Sequence, residues 1–396
     1  MSLLPVTFVV PSLRPASGWG SLAAGAVRAL ERHAGIQASV VVSTADVPLA
    51  ASEFRDCPRY AVPRTQFLST RPGGWPAFLA TWVRTHTMRV PASRLVHSLE
   101  AYPTGLVGHW LAGRMNRPHV ITAAGTYAVR WVDSAVDRRL YGRVLRRAQA
   151  VLPISTGTAD LMQAHFGHWL DRTRVRVVTL GTDYPVQVPR EVALDRTRNT
   201  APVILSVGAI KPRKGYETSL RAFARVKARV PEARYRIIGA VDRPDYFERL
   251  QRLVAAERIA GVEWLTAVGD VELDRHYREA DIFLLTPEQV GLAFEGFGLV
   301  YLEAGAYGLP VVATRTGGVP DAVRHDETGL LASPGRADEV ADCLLKLLED
   351  PVRATRLGRA NRDWSEHLTW ERFARAQRDI YEQVLAGSPP GLERLA

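Results

Sequence analysis

The chain has 396 residues, a length typical of two or three domains, which excludes a peptide hormone or a single small binding module. Hydrophobic residues make up 46% and charged residues 23% of the sequence, so a sizeable core can form and extended disorder is excluded over most of the chain. The net charge is +10, and residues 1–183 carry all of the excess, with 21 basic and 10 acidic residues. Because 47 of the 51 basic residues are arginines, a bias typical of a GC-rich genome, arginine content alone says little about ligands.

The cysteines and the apolar runs indicate the cellular compartment. Cys57 and Cys343 lie far apart and in no metal-binding or disulfide pattern, which favours a reducing environment. No apolar run approaches the length of a membrane-spanning helix, and residues 1–10 lack the features of a secretion signal. The expected location is the cytoplasm, in solution or bound peripherally at the inner face of the membrane.

The first half of the chain alternates short β-branched runs with helical stretches, a pattern typical of a parallel sheet with helices on both faces. The predicted strands are 6–10, 39–42, 95–99, 119–122, 151–154 and 175–179. The predicted helices include 21–33, 135–147 and 158–165.

The same alternation restarts after a polar stretch, 185–202, which is predicted to be a structureless linker. The predicted strands of this second half are 203–208, 235–238, 262–266, 282–285, 311–314 and 329–332, and the last clear helix is 370–385. The pattern predicts two doubly wound α/β domains. Because open parallel sheets bind ligands beyond the carboxyl ends of their strands, the cleft between the domains is the expected site.

The strongest chemical signal is the segment 295–303, which follows the predicted strand 282–285 and its loop. It begins with Glu295 and ends with Glu303, and carboxylates accept hydrogen bonds from sugar and ribose hydroxyls. Between them Phe297, Gly298 and Leu299 are predicted to open a helix whose unpaired amides can bind phosphate oxygens. Taken alone, the pair could also be two surface glutamates that flank an ordinary helix start.

A second signal is the loop that follows the first strand of the second domain. It carries Lys211, Arg213 and Lys214 at a predicted helix start, where cations are unfavourable against the helix dipole unless an anion compensates them. A lysine in an arginine-rich chain suggests a point-charge contact to a diphosphate, and a solvated loop is the alternative.

Together these segments resemble the retaining glycosyltransferases of family 4, whose GT-B fold has two Rossmann-like doubly wound parallel-sheet domains facing a central cleft. The resemblance covers most of the chain and is carried by residues 207–208, 213–215, 295–314, 317–321, 328–330 and Trp370. It implies an acceptor-side domain at 1–184, a domain that binds the nucleotide-sugar at 185–368, and a C-terminal helix and tail at 369–396 that cross back to the first domain.

The resemblance also implies residue roles. Glu295 would bind hydroxyls of the donor sugar and Lys214 the diphosphate, and these are the implied catalytic residues. Further donor-binding residues would be Arg213, Phe297, Gly298, Leu299, Glu303 and, in a glycine turn after the first strand, Gly20. Two departures from the family pattern, Ala209 and Ala124, replace an arginine and a histidine that many members have.

The implied reaction is sugar transfer from a nucleotide-diphosphate sugar to a hydroxyl of a glycan, glycolipid or polysaccharide precursor, with the anomeric configuration retained. Protein cations and the helix end would stabilise the leaving phosphate, so no cofactor and no metal are expected. The sequence also lacks the Asp-x-Asp triplet that is typical of metal-bound diphosphates. The alternative, motivated by Ala124 and Ala209, is a nucleotide-sugar-binding relative without transferase activity that serves as a regulatory or scaffolding subunit.

Candidates on the acceptor side are His97, Glu100 and Tyr127, although a histidine that is satisfied within the core is an equally good interpretation of His97. The segment 130–147 is rich in arginine, which is compatible with docking on an anionic membrane or acceptor, and a solvated helix face is the alternative. Its arginines are Arg130, Arg138, Arg139, Arg143, Arg146 and Arg147. Nucleic acid is not an expected partner, because no aromatic residues are interleaved with the basic ones.

Overall fold

The protein is described by a computed structural model that covers residues 3–13, 18–66, 68, 70, 73–130, 134–194 and 199–388. The chain forms two compact units. The first contains the described residues of Met1–Leu180 and Trp370–Ala396, and the second contains those of Gly181–Thr369. Each unit is built on a six-stranded sheet, and all of the strand pairs are parallel. The predicted fold class, two doubly wound parallel sheets, is confirmed.

The first sheet has the strand order β3-β2-β1-β4-β5-β6. Its strands are β1 (Leu4–Val9), β2 (Ile36–Ser43), β3 (Arg59–Val62), β4 (Leu95–Ser98), β5 (His119–Ala123) and β6 (Ala150–Pro153). The helices of the unit are α1 (Gly18–Ala34), α2 (Val47–Glu53), α3 (Trp75–Thr87), α4 (Thr104–Met115), α5 (Ala135–Arg147), α6 (Thr156–Phe166) and, from the end of the chain, α16 (Trp370–Leu385). Every residue of the central strands β4 and β5 is buried, as expected for a sheet covered on both faces, although four of them are polar: His97, Ser98, His119 and Thr122.

The second sheet has the strand order β12-β11-β10-β7-β8-β9, which is the same topology as the first. Its strands are β7 (Val203–Val207), β8 (Arg234–Ile238), β9 (Val262–Leu265), β10 (Ile282–Leu285), β11 (Val311–Thr314) and β12 (Gly329–Ala332). The helices of the unit are α7 (Tyr184–Gln187), α8 (Arg190–Leu194), α9 (Tyr216–Arg229), α10 (Pro244–Ala256), α11 (Asp270–Glu279), α12 (Leu299–Ala306), α13 (Val319–Ala322), α14 (Ala337–Glu349) and α15 (Pro351–His367). None of the helices in the described ranges is both long and apolar enough to cross a membrane.

Two strand predictions in the first unit are wrong. Residues 175–179 run beside β6 and donate two backbone hydrogen bonds to it, but they form only one isolated bridge, Val175 to Val151, and no strand. Strand β3 is absent from the prediction because it is a short edge strand in which only Val62 is fully buried. An edge strand that is half-exposed lacks the apolar run that identifies central strands.

The predicted structureless linker, 185–202, is also wrong, because α7 and α8 lie within it. Both are short helices held by α15: the Arg362 guanidinium donates to the Pro185 carbonyl oxygen at 2.8 Å, and Arg190 forms ion pairs with Asp363 and Glu366. Their stability comes from tertiary contacts and not from local propensity, so a polar composition gave no sign of them.

The C-terminal helix α16 packs along α1. Trp370 lies against Gly25 of α1, where a Cβ atom would be 2.9 Å from the indole ring, so this helix contact needs a glycine. Further along α16, the guanidinium of Arg378 donates to the Ala34 carbonyl oxygen at 3.1 Å and so caps the end of α1. The last helix of the chain is therefore an integral part of the first unit.

Candidate active site

The candidate site forms where the loops after two neighbouring strands meet. Strands β7 and β10 are adjacent and parallel, so their carboxyl ends lie at the same edge of the second sheet. The loop after β7 ends at Gly215, which has a φ of +68°, and a Cβ atom there would lie 1.7 Å from the carbonyl oxygen of Thr286, just after β10. The Thr286 hydroxyl also donates to the Gly215 carbonyl oxygen at 2.7 Å. Only glycine permits this close approach, which fixes the two loops together.

The centre of the site is a cluster of two cations and one carboxylate. The Lys214 ammonium and the Arg213 guanidinium both donate to Oε2 of Glu295, at 2.6 and 2.7 Å. Lys214 and Glu295 are buried, whereas Arg213 is partly exposed. The structure thus brings together three residues that the sequence predicted for the site, although Glu295 lies 81 positions from Lys214.

The two cations determine the ionisation of Glu295. Burial alone would raise the pKa of its carboxyl, but the positive charges of Lys214 and Arg213 and their hydrogen bonds outweigh burial and lower the pKa to about 2. Glu295 is therefore ionised at neutral pH. Two cations share one carboxylate, so the cluster has an excess of one positive charge, which can hold an anion.

The start of α12 lies beside this cluster. Gly298 precedes the helix with a φ of +92°, and a Cβ atom there would lie 2.5 Å from the ring of Tyr301. The backbone of Glu295 is held by a second loop, since the Gly318 amide donates to its carbonyl oxygen at 2.9 Å. Phe297 and Gly298 are buried and Leu299 is half-buried, so in the predicted phosphate-binding segment it is Leu299 that has exposed surface.

Glu303 lies one turn inside α12 and is half-buried. Its Oε2 accepts a hydrogen bond from the Tyr277 hydroxyl at 2.9 Å, and burial raises the pKa of its carboxyl, opposed by that hydrogen bond and by the charge of Lys214. Tyr277 in turn stacks on Tyr307, with ring centroids 4.8 Å apart. Sequence analysis missed Tyr277, because its helical position marks it only as a core residue.

The positive φ of Gly298 leads to a first prediction. Gly298→Ala adds a Cβ that meets the Tyr301 ring and strains the backbone, and each effect is of the order of 1 kcal/mol or more. We expect the variant to unfold at lower urea concentration and to bind the donor more weakly. Gly335→Ala is the matched control, because Gly335 has a φ of +73° and a Cβ atom there would have nothing within 4 Å. Equal behaviour of the two variants would contradict a role for the α12 start.

The sequence predicts that Gly20 lies in a turn before the first helix. In the structure Gly20 lies instead within the first turn of α1. The helix begins at Gly18, three residues earlier than expected, and the preceding Ser17 lies outside the described residues. Gly20 is buried and lies near the amino end of α1.

The structure does not place His97 in a pocket. The imidazole is fully buried within β4, with Nδ1 2.6 Å from the Tyr381 hydroxyl and Nε2 2.9 Å from the Thr122 hydroxyl. Burial lowers the pKa of His97 to about 3, so the ring is neutral. His97 is a core histidine that links β4 and β5 to α16, which corrects its assignment to the acceptor side.

Glu100 follows β4 and is likewise fully buried. Its Oε2 accepts hydrogen bonds from the side chains of Gln66 and Thr104, both at 2.8 Å, while its Oε1 has no partner among the described residues. Burial raises the pKa of this carboxyl from 4.5 to about 7, opposed by the two hydrogen bonds. Tyr127, in a short helical turn at Gly125–Ala128, is only half-buried.

The raised pKa of Glu100 predicts a pH-dependent stability. Between about pH 4.5 and 7 the unfolded chain loses this proton and the folded chain keeps it, so the free energy of unfolding should fall as the pH rises through that window. The Gln side chain of Glu100→Gln cannot ionise. At pH 8 the variant should therefore be more stable than the wild type, by at most about 3 kcal/mol, whereas at pH 4 it should have no such advantage. Urea unfolding at both pH values measures this difference, and a pH-independent difference would contradict the raised pKa.

The arginines of α5 are exposed, as is Arg130 before it. Arg138 lies over the indole ring of Trp169 at 5.8 Å from its centroid. This arrangement agrees with a solvated arginine-rich face and does not by itself identify a partner.

The protein has two parallel sheets of identical topology. The second sheet carries a cation cluster and a helix start at the carboxyl ends of its strands. These features define the class as a GT-B glycosyltransferase. The family model described as Glycosyltransferase Family 4 matches residues 17–184, and the model described as Glycosyl transferases group 1 matches residues 193–364. The chain belongs to glycosyltransferase family 4.

Named relatives agree with this assignment. The GDP-mannose-dependent alpha-(1-6)-phosphatidylinositol monomannoside mannosyltransferase of Mycolicibacterium smegmatis is 31% identical over 67% of this chain and 70% of its own length. The D-inositol 3-phosphate glycosyltransferase of Corynebacterium aurimucosum is 31% identical over 74% of this chain and 72% of its own. The crystal structure of Anabaena HepE in complex with UDP and glucose shares the fold, with a TM-score of 0.72 at 18% identity over 96% of this chain and all of that one.

Proposed function

We propose that this glycosyltransferase moves a sugar from a nucleotide-diphosphate sugar to a hydroxyl of a glycan, glycolipid or polysaccharide precursor and retains the anomeric configuration. The observation that supports this most strongly is the cluster in which Lys214 and Arg213 share one oxygen of the buried Glu295. The cluster combines an excess positive charge for a diphosphate with a carboxylate for sugar hydroxyls.

The diphosphate end of the donor would be bound by charge. When the bond between sugar and phosphate breaks, negative charge grows on the leaving nucleoside diphosphate, and preorganised cations stabilise that charge. Lys214 and Arg213 are held in place before any ligand arrives, because Glu295 fixes both. The amide groups at the start of α12 add positive potential from the helix dipole.

The sugar end would be bound by Glu295 itself. Both cations donate to Oε2, and among the described residues Oε1 accepts no hydrogen bond, which leaves one carboxylate oxygen for a sugar hydroxyl. Glu303, with one oxygen held by Tyr277, would accept a hydrogen bond from the ribose. The acceptor hydroxyl would then attack from the face that the phosphate leaves, and a phosphate oxygen would take its proton.

We infer no cofactor and no metal for this reaction, because protein cations supply the charge that a metal ion would otherwise supply. Arg213 takes the part of the arginine that Ala209 replaces, since its guanidinium reaches the cluster directly.

The experiment is a release assay for nucleoside diphosphate with GDP-, UDP- and ADP-sugars, each in the presence and absence of a chelator. GDP-mannose is the first donor to test, since it appears in the name of the M. smegmatis relative. Turnover of any donor that is insensitive to the chelator supports the proposal. Binding without turnover across the panel would favour the regulatory alternative, and absence of both would overturn the proposal.

A further inference from the structure

Helix α3 (Trp75–Thr87) buries polar side chains and exposes apolar ones, which is the reverse of the usual arrangement. Its two fully buried side chains are threonines, Thr81 and Thr85, whose hydroxyls can only donate back to carbonyl oxygens of the same helix, those of Ala77 and Thr81. Its large apolar side chains other than Phe78 point outward instead. Their exposed fractions are Trp75 51%, Leu79 58%, Trp82 42% and Val83 44%.

These four residues form one continuous surface, the α3 apolar face. They lie at relative positions 0, 4, 7 and 8 along the helix, which is the spacing of a single helical stripe. A helix facing water normally buries such a stripe and exposes its threonines. The reversal in α3 indicates that its outward face has a neighbour other than water.

The α3 apolar face is rigidly attached to the first unit. Phe78 packs its ring edge-to-face against Trp110 of α4, with centroids 5.3 Å apart, and Trp75 packs in the same way on Phe78 at 5.4 Å. This aromatic row connects the exposed face to the core cluster formed by β1, β2, β4 and α4. The exposed side chains are therefore part of a well-packed helix and not of a frayed segment.

The described exposed charges in the segment that contains α3, residues 57–132, are all positive. Residues 57–132 contain nine arginines and a single acidic residue, Glu100, which is fully buried. Every one of those arginines that the structure describes is exposed. Three of them lie at the carboxyl end of α3: Arg84 within the helix, Arg89 after it, and Arg114, whose guanidinium donates to the His86 carbonyl oxygen at 3.1 Å.

We propose that the α3 apolar face inserts into the interface of a bilayer that contains anionic lipids. Tryptophan, leucine and valine would enter the boundary between headgroups and acyl chains, and the arginines at the end of α3 would contact lipid phosphates. A helix of 13 residues, about 20 Å long, is suited to lie in the plane of the interface and not to span it.

A bilayer fits this surface better than a second copy of the chain does. A twofold pairing through α3 would place the same arginines of both copies against each other, and the described residues of 57–132 offer no exposed carboxylate to neutralise them. An anionic lipid surface neutralises them and accepts the apolar side chains at once. The proposal also differs from docking through the arginines of α5, whose outward face offers only one large exposed apolar residue, Val136.

The test is flotation of the full-length protein with vesicles of phosphatidylcholine alone or with added phosphatidylglycerol. The wild type should float with the anionic vesicles, and Leu79→Ser/Trp82→Ser should lower the partition coefficient at least about tenfold, because it removes two inserting side chains. The matched control is Val271→Ser/Val352→Ser, which removes two exposed apolar residues of the second unit and should leave binding unchanged. Urea unfolding of both variants should be close to that of the wild type, which shows that they fold.

Further outcomes decide between the alternatives. Trp82→Phe keeps an apolar side chain and should retain vesicle binding, while quenching of tryptophan fluorescence by brominated lipids should decrease. If Arg139→Glu/Arg143→Glu on α5 abolished binding while the α3 variant retained it, docking would occur through α5 and the proposal would be overturned. It would also be overturned if the α3 variant bound vesicles normally, or if its only effect were to convert a dimer into a monomer. The proposal depends on neither the donor nor the transfer reaction.

Discussion

Lys214→Ala is expected to lower turnover at least about tenfold and to weaken binding of the nucleoside diphosphate. The ammonium is buried, lies 2.6 Å from Glu295, and is one of two cations that give the cluster its excess charge. Without it, Arg213 and Glu295 neutralise each other, so that no positive charge remains for the diphosphate. Steady-state kinetics with the active donor, together with calorimetry of nucleoside diphosphate binding, measure both effects.

The same variant should also be less stable than the wild type. Glu295 keeps Arg213 as a partner but loses one of its two charged hydrogen-bond donors, which costs about 1.5–3 kcal/mol. Lys346→Ala is the matched control, since Lys346 is exposed on α14 in the same unit. Wild-type turnover in Lys214→Ala, or an equal loss in Lys346→Ala, would contradict the assignment of the site.

Strands whose residues are all buried could be predicted closely from the sequence, because burial on both faces selects a continuous run of apolar residues. Strands β10, β11 and β12 have the predicted boundaries, and every residue in them is buried. Elements that depend on distant contacts contain no such run. The short helix α8 is held by Asp363 and Glu366 of α15, 173 and 176 positions from Arg190, so its own residues do not identify it. Edge strand β3 is half-exposed and lacks an apolar run.

In the candidate site, too, features with a local pattern could be predicted and those that depend on distant contacts could not. Glu295 and Lys214 each lie in the loop that follows a buried strand. Because neighbouring parallel strands end at one edge of the sheet, their meeting could be expected from the order of the strands. The hydrogen bond between His97 and Tyr381 could not be predicted in this way, because Tyr381 lies 284 positions away on α16. A histidine beside a strand has the same local pattern whether it faces a pocket or the core.

Glu295→Ala is expected to have the opposite effect from Lys214→Ala on diphosphate binding, while turnover again falls at least about tenfold. Loss of the carboxylate removes the contact to the sugar but leaves Lys214 and Arg213 without their shared counterion. An anion can then replace the missing charge, so the nucleoside diphosphate should bind at least as tightly as to the wild type. Its addition should also raise the melting temperature of the variant by more than that of the wild type.

The contrast between the two variants separates the two roles of the cluster. If Glu295 only held Lys214 in position, its removal would weaken diphosphate binding as Lys214→Ala does, and the assignment of Glu295 to the sugar would be wrong. Glu327→Ala removes an exposed carboxylate of the same unit and should change neither quantity. Acid titration adds an independent check: the stability that comes from Glu295 is present above pH 4.5 and is lost as the pH falls towards 2, so this loss should be absent in the variant.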